Sequence, residues 1–298
     1  MRPRRLTRQA GRHALVDGIP FTLPVASRET PALMAAFRCD LDRAREALPG
    51  NELHPLDFFG RALFLVTVVD YRITNIGKYI EYSLAIACTH GARPAPFGLP
   101  FLFQKTFGVG QYVVDLPVST EISVKGGKGI WGMPKHQASL DFLVSESTVS
   151  SQYNLDDQLV TRIDIARPGG LAIPLSLGAA NYCAFRGMLM KSYIYFKGKA
   201  RIALLGSARA QLTLGDHPCA EPLERLGIER NPIFTAYFAD TAGVLDDHFE
   251  AWFLSHETQP TTPDEGLESV VALGLDQSWP PPPRAVPPGG APPPPIRV

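Results

Sequence analysis

The chain has 298 residues, 45% of them hydrophobic and 19% charged, with 29 Lys plus Arg against 29 Asp plus Glu. That length leaves ample material for a buried core, and no apolar run reaches the roughly 18 to 20 residues that a bilayer-spanning helix needs, which excludes a helical membrane protein. The zero net charge hides an asymmetry: Arg2, Arg4, Arg5, Arg8 and Arg12 crowd the first twelve positions, so the remainder carries 24 basic against 29 acidic residues and offers no basic field for a phosphate backbone, which argues against nucleic acid as a partner.

Residues 1–17 read as a solvated basic arm. No apolar run of the kind a secretion signal carries follows the arginines, so a cytoplasmic protein is expected. A folded domain is expected over 18–256. Within it a helix is predicted at 41–48, capped by Asp40, followed by period-two strands at 61–73 and 79–88. A turn or two of helix is predicted after Ser119, broken by Gly126, Gly127 and Gly129. Further strands are predicted at 136–144, 159–166, 208–214 and 231–240, with a helix at 220–226 stopped by Gly227. Long helices do not alternate with the strands, so the fold class expected is mainly β: an antiparallel sheet curled or closed into a barrel, with a few short helices. The stretch 280–298 holds ten prolines and cannot supply a ladder of backbone donors, so 257–298 reads as a tail outside the fold.

Several chemistries are absent from the sequence. There is no phosphate-binding glycine loop, no nucleophile elbow and no HExxH pair. Cys39, Cys88, Cys183 and Cys219 are widely separated and read as buried thiols in a reducing compartment. His217, between Asp216 and Pro218, reads as a residue that orders a loop. No metal or organic cofactor is called for.

The unusual stretch is TEISVKGGKGIWGMPKH, 120–136, which brings Lys135 to the end of an apolar run. Such a lysine either snorkels from a strand end or is a desolvated amine. The second case has chemical consequences, because an amine with a pKa of about 10.4 is almost wholly protonated at pH 7. Lowering that pKa by about three raises the nucleophilic fraction roughly a thousandfold, at about 4 kcal/mol of differential stabilisation.

Glu121, Gly127, Lys128, Gly132, Pro134 and Lys135, together with SRE at 27–29, YIEYSLAI around Glu81, LTLGDHP and the late YFAD segment, resemble the acetoacetate decarboxylase family over most of the body. The resemblance implies a β-barrel-like fold, homo-oligomeric assembly and a lysine that forms a Schiff base with a β-keto acid. The family is itself a standard example of a lysine activated by desolvation or a cationic neighbour, so that activation is part of what the likeness implies. Carried over by position, Lys135 is the nucleophile, Arg28 the active-site arginine that orients a carboxylate, and Glu81 the active-site acid. Trp131, Met133 and His136 are expected beside the substrate.

Three positions depart from the family pattern: His136 stands where a second lysine is common, Gly129 where many members have glutamate, and Leu65 near a further acid. Since an ionised neighbour favours the ammonium form, Glu81 is expected to be protonated, paired with Arg28, or set a few ångströms back from Lys135. The function expected is a lyase that decarboxylates an acetoacetate-like β-keto acid. The alternatives are a Schiff-base aldolase or dehydratase acting on another keto acid, and a non-catalytic barrel that binds a small molecule.

Overall fold

The structure, a computed structural model, describes residues 12–255. Strands β1 (Arg12–Val16) and β2 (Ile19–Leu23) form a hairpin. After it come β3 (Val25–Arg28), β4 (Ala32–Cys39), helix α1 (Leu41–Glu46), β5 (Leu53–Pro55), β6 (Ala62–Tyr71), β7 (Ile73–Thr74), β8 (Tyr79–His90), helix α2 (Leu99–Leu102), β9 (Gly110–Val118) and helix α3 (Glu121–Trp131). The rest comprises β10 (Lys135–Gln137), β11 (Ser139–Leu140), β12 (Leu143–Val144), β13 (Thr148–Leu155), β14 (Gln158–Ala166), β15 (Ile173–Phe185), β16 (Met188–Leu204), β17 (Ala210–Leu214), helix α4 (Glu221–Arg225) and β18 (Pro232–Phe253).

Seven strands close on themselves in the order β9, β15, β16, β18, β4, β6, β8, with β8 pairing back onto β9. The mainly β barrel expected from the sequence is therefore present, its one parallel joint being the short β9–β15 contact. Closure removes the exposed sheet edges that would otherwise template association. A second, antiparallel sheet of β11, β12, β13, β14 and β17 covers part of the barrel's outside. Its Val149, Tyr153, Ile163 and Ile165 share one buried cluster with Phe37, Phe64, Tyr82 and Ile86 of the barrel.

This covering sheet explains why β4, β6 and β8 are apolar on both faces. Side chains alternate across a strand, so Phe64, Val66 and Val68 meet the second sheet while Thr67, Val69 and Tyr71 face the barrel lumen. Three hairpins are closed by two-residue turns with positive φ at both positions: Asp17–Gly18, Asp156–Asp157 and Arg186–Gly187. Their twist matches that of the strands they join.

Helix α1 starts where expected, with the Asp40 carboxylate accepting hydrogen bonds from the backbone N–H groups of Asp42 and Arg43. Likewise α4 ends just before Gly227, which takes a left-handed φ of 60°. His217 accepts a hydrogen bond from the Cys219 N–H, ordering its loop as expected. Of the cysteines Cys39, Cys88 and Cys183 are buried, but Cys219 is exposed, contrary to expectation, because it lies in the surface turn leading into α4.

Two boundaries also differ. The hairpin begins at Arg12, inside the stretch expected to be an arm: Arg12 pairs with Asp247, and Asp17 pairs with Lys125 of α3 at 2.7 Å. Residues 1–11 and the expected tail, 257–298, lie outside the described residues. Helix α3, moreover, is not broken by its glycines. It runs eleven residues to Trp131 and stops at Gly132, whose φ is 66°. Among the described residues no helix is long and apolar enough to cross a membrane.

Phe64 is fully buried between the two sheets, so Phe64→Ala removes a large side chain from both. The substitution is expected to cost about 3 to 5 kcal/mol, seen as a lower urea midpoint with little change in slope.

Candidate active site

The three glycines of α3 let the helix approach its neighbours more closely than a side chain allows. A Cβ at Gly126 would lie 2.7 Å from the Phe21 ring, and one at Gly129 would lie 2.6 Å from a Val16 methyl, so the β1–β2 hairpin packs directly on the helix backbone. A Cβ at Gly127 would lie 2.4 Å from Cδ and 2.7 Å from Cε of Lys135. After Gly132 the chain turns through Met133 and Pro134, and Lys135 opens β10, which pairs in parallel with β9 at Leu116. The lysine side chain therefore lies back along α3. Its Nζ donates to Ser123 Oγ at 3.0 Å, one helical turn before Gly127.

Lys135 is 3% exposed, and its Nζ lies 2.7 Å from Glu81 Oε2 and 5.4 Å from the centre of the Tyr79 ring. On β8, Tyr79 and Glu81 are two residues apart and so share the lumen face. Across the sheet, Tyr71 on β6 pairs with Tyr79, the rings stacking at 4.6 Å, and the Tyr71 hydroxyl donates to Glu81 Oε1 at 3.5 Å. Burial first, and the Glu81 charge second, push both phenols well above the ordinary tyrosine value, so each stays a proton donor. These groups line a cavity of about 60 Å³ with Met133, Ser27, Gln111 and Asn181. Gln111 donates its amide N–H to Asn181 at 2.8 Å, whereas the buried Ser27 hydroxyl has no hydrogen-bond partner among the described residues. Among the described residues no three His, Cys, Asp or Glu side chains are grouped to hold a metal ion.

This site sits in a chain whose residues 7–173 match the family model described as acetoacetate decarboxylase. The chain belongs to that family. Solved structures agree in fold. The acetoacetate decarboxylase of Legionella pneumophila superimposes with a TM-score of 0.54 at 14% identity, covering 75% of this chain and 85% of that one. The enduracididine biosynthesis enzyme MppR complexed with pyruvate superimposes with a TM-score of 0.56 at 14% identity, covering 76% and 90%. No curated protein sequence matches the chain.

Set against the family pattern, the structure brings Lys135, Glu81 and Met133 together and leaves the other expected site residues elsewhere. Arg28 does not line the Lys135 cavity. Along β3 it is Val25 and Ser27 that point inward, so Arg28 is exposed and lines an open outer groove of about 890 Å³ with Lys197, Lys199 and Arg201. Trp131 is buried behind the site, its indole N–H donating to the Asp246 carbonyl at 2.9 Å. His136 points to the opposite face of β10 from Lys135, as strand alternation requires, with Nε2 2.8 Å from Asp115 Oδ1.

Glu81 is neither set back nor paired with Arg28; it contacts the amine directly, because β8 and β10 flank β9 at the same level, Glu81 and Gln137 both pairing with Val118. Of the departures, Gly129 is fixed by the contact with Val16. Leu65 shares the face of β6 that carries Thr67 and Val69 but packs with Leu56 and Leu63, away from the residues that line the Lys135 cavity, and the β6 residue opposite Glu81 is Val69. Sequence reasoning passed over Tyr71, Tyr79, Ser123 and Ser27. Tyr79 had a readable signal in its period-two spacing from Glu81.

Replacing Gly by Ala inside a helix ordinarily adds about 1 kcal/mol of stability. Here the added methyl would displace the Lys135 side chain, so Gly127→Ala is expected to keep the thermal midpoint within a few degrees of wild type while cutting reductive labelling of Lys135 at least tenfold; peptide mapping and calorimetry check the two halves. The buried phenols give a pH prediction. A group whose folded pKa is raised contributes stability that is complete below the unfolded value, near pH 10, and is lost as pH climbs beyond it. In an ultraviolet titration Tyr71 and Tyr79 should therefore ionise only with alkaline unfolding, and Tyr71→Phe should remove one tyrosinate from that step.

Proposed function

We propose that this protein is a carboxy-lyase that decarboxylates an acetoacetate-like β-keto acid through a Schiff base on Lys135. The observation that carries this reading is a single lysine amine held at 2.7 Å from a carboxylate and 3.0 Å from a hydroxyl inside a small lumen cavity.

The Lys135 amine is buried against Ser123 in the first turn of α3 and touches the Glu81 carboxylate. Glu81, being in contact, is the acceptor for its proton. When a neutral substrate carbonyl replaces water beside the pair, transfer of the proton to Glu81 leaves an amine with a lone pair. That amine attacks the ketone carbon, and the carboxylic acid of Glu81 then protonates the carbinolamine hydroxyl, which departs as water.

The resulting iminium takes up the electron pair of the breaking carbon–carbon bond as carbon dioxide leaves. The enamine carbon takes one proton from solvent, delivered by Glu81 after it is reprotonated or through the Tyr71 phenol that touches it, and hydrolysis of the imine by water releases the ketone and restores the lysine. The Gln111–Asn181 pair, with Ser27 beside it in the lining, supplies polar contacts for the substrate carboxylate, the role that position alone assigns to Arg28.

Incubation with acetoacetate and borohydride, followed by peptide mapping, tests this. A reduced adduct on Lys135 with release of carbon dioxide is expected, lost in Lys135→Ala. An adduct without carbon dioxide release moves the reaction to the aldolase or dehydratase class, and no adduct removes Schiff-base chemistry altogether. Glu81→Gln is expected to lower kcat by about 10² to 10⁴, the range for a positioned acid–base group.

A further inference from the structure

The Lys135 cavity does not end at its own walls. A second lumen cavity, of about 80 Å³, adjoins it, and five residues, Thr67, Val69, Gln111, Ile194 and Phe196, line both. From there the second cavity extends between Met34, Ala179, Leu177 and Phe238, on strands β4, β15 and β18, as far as the exposed Leu177. Its walls are almost wholly apolar. Two of its few polar side chains are already engaged: Thr241 Oγ1 donates to the Thr30 carbonyl at 2.7 Å, and the Gln111 amide N–H donates to Asn181. Small residues, Ala32 and Ala179, stand where larger ones would close the space.

A hollow whose walls are mostly apolar, with Thr67, Gln111 and Thr241 its only polar side chains among the described residues, does not hold ordered water well and takes up hydrocarbon instead. The Lys135 cavity, by contrast, carries the carboxylate, hydroxyls and amides. The two therefore divide a ligand between them, reactive polar head beside Lys135 and apolar tail in the annex.

We infer that the substrate is a keto acid bearing an aliphatic or similar apolar substituent on the far side of its carbonyl from the carboxylate, and that the annex selects for that substituent. This rests on the Schiff-base reading above for the reactive end. At roughly 25 Å³ per carbon, the ratio at which a 150 Å³ apolar cavity takes up benzene, 80 Å³ receives about three methylene-sized groups. Ala179 and Met34, which line only the annex, are then residues that set specificity.

The test uses straight-chain secondary alcohols from 2-propanol to 2-decanol, which offer the same shape as methyl ketones and cannot form an imine, titrated calorimetrically into the full-length protein. Affinity is expected to rise about threefold to fourfold per added methylene, the value for burial of one such group, and to level off near six carbons, the three of 2-propanol and about three in the annex. Ala179→Phe, which fills the annex, should reduce the ratio of 2-octanol to 2-propanol affinity at least tenfold, and Met34→Ala, which enlarges it, should move the plateau to longer chains. A series that changes less than twofold in all, or a slope untouched by both variants, overturns the inference. Borohydride trapping with acetoacetate separates this from the reaction itself. A steep series without a Lys135 adduct keeps the annex as an alkyl-binding site and removes only the Schiff-base reading, whereas an adduct with a flat series removes only the annex.

Discussion

The absence of a Cβ at Gly127 is the constraint on which the site depends. It lets the Lys135 stem lie against the backbone of α3, so that the amine emerges one turn further along, at Ser123, instead of following the strand out to solvent. Every other contact at the site follows from that placement. The amine enters the lumen at the level of Glu81 and beside the stacked tyrosines. A buried ammonium without a partner is a strongly unfavourable group, and breaking a buried pair typically costs about 3 to 5 kcal/mol. Glu81 supplies that partner, its Oε2 2.7 Å from the amine.

The barrel can host this polar pair because its lumen does not have to supply the main core. The large apolar side chains of β4, β6 and β8 point outward into the cluster shared with the second sheet, where Phe37, Phe64, Tyr82 and Ile86 pack with Val149 and Ile163. The inward faces are free to carry Ser27, Thr67, Glu81 and Gln111 beside their apolar neighbours. A single sheet with one face in water could not do this, since its inward face would have to be the core. The covering sheet is thus what makes a polar, partly hollow lumen affordable.

The site was legible where the chemistry depends on residue type and unreadable where it depends on direction. Lys135 stood out as a cation ending an apolar run and Glu81 through the family resemblance of the YIEYSLAI segment, and both face the lumen. Arg28 and Ser27 show the limit. They are adjacent, only one can point inward, and the more chemically prominent residue is the one that points out. Trp131 and His136 fail for the same reason, one lying behind the site and the other on the reverse face of β10. Period-two patterning captured β6, β8 and the first part of β18 but not β15, β16 or the remainder of β18. Their burial alternates only in part and their ladders are interrupted by irregularities near Ser192 and Gly198, so local patterning carries little of their pairing. Gly126, Gly127 and Gly129 mislead for a different reason. Helix propensity counts what glycine costs locally, whereas here Phe21, Lys135 and Val16 fill the space that it vacates.

The unfilled part of the lumen carries its own argument. At about 24 cal/mol for each Å³ of cavity, the 80 Å³ annex represents about 2 kcal/mol of forgone packing, and single substitutions such as alanine to leucine at position 179 would recover part of it. Interiors are otherwise packed to the density of organic crystals, so a hollow of this size beside the Lys135 cavity is the part of the fold least explained by stability. On the proposed reading its position makes it intelligible: apolar walls around the Lys135 cavity, drawn back at Ala32 and Ala179, leave room for the apolar tail of a substrate whose reactive end lies at the amine.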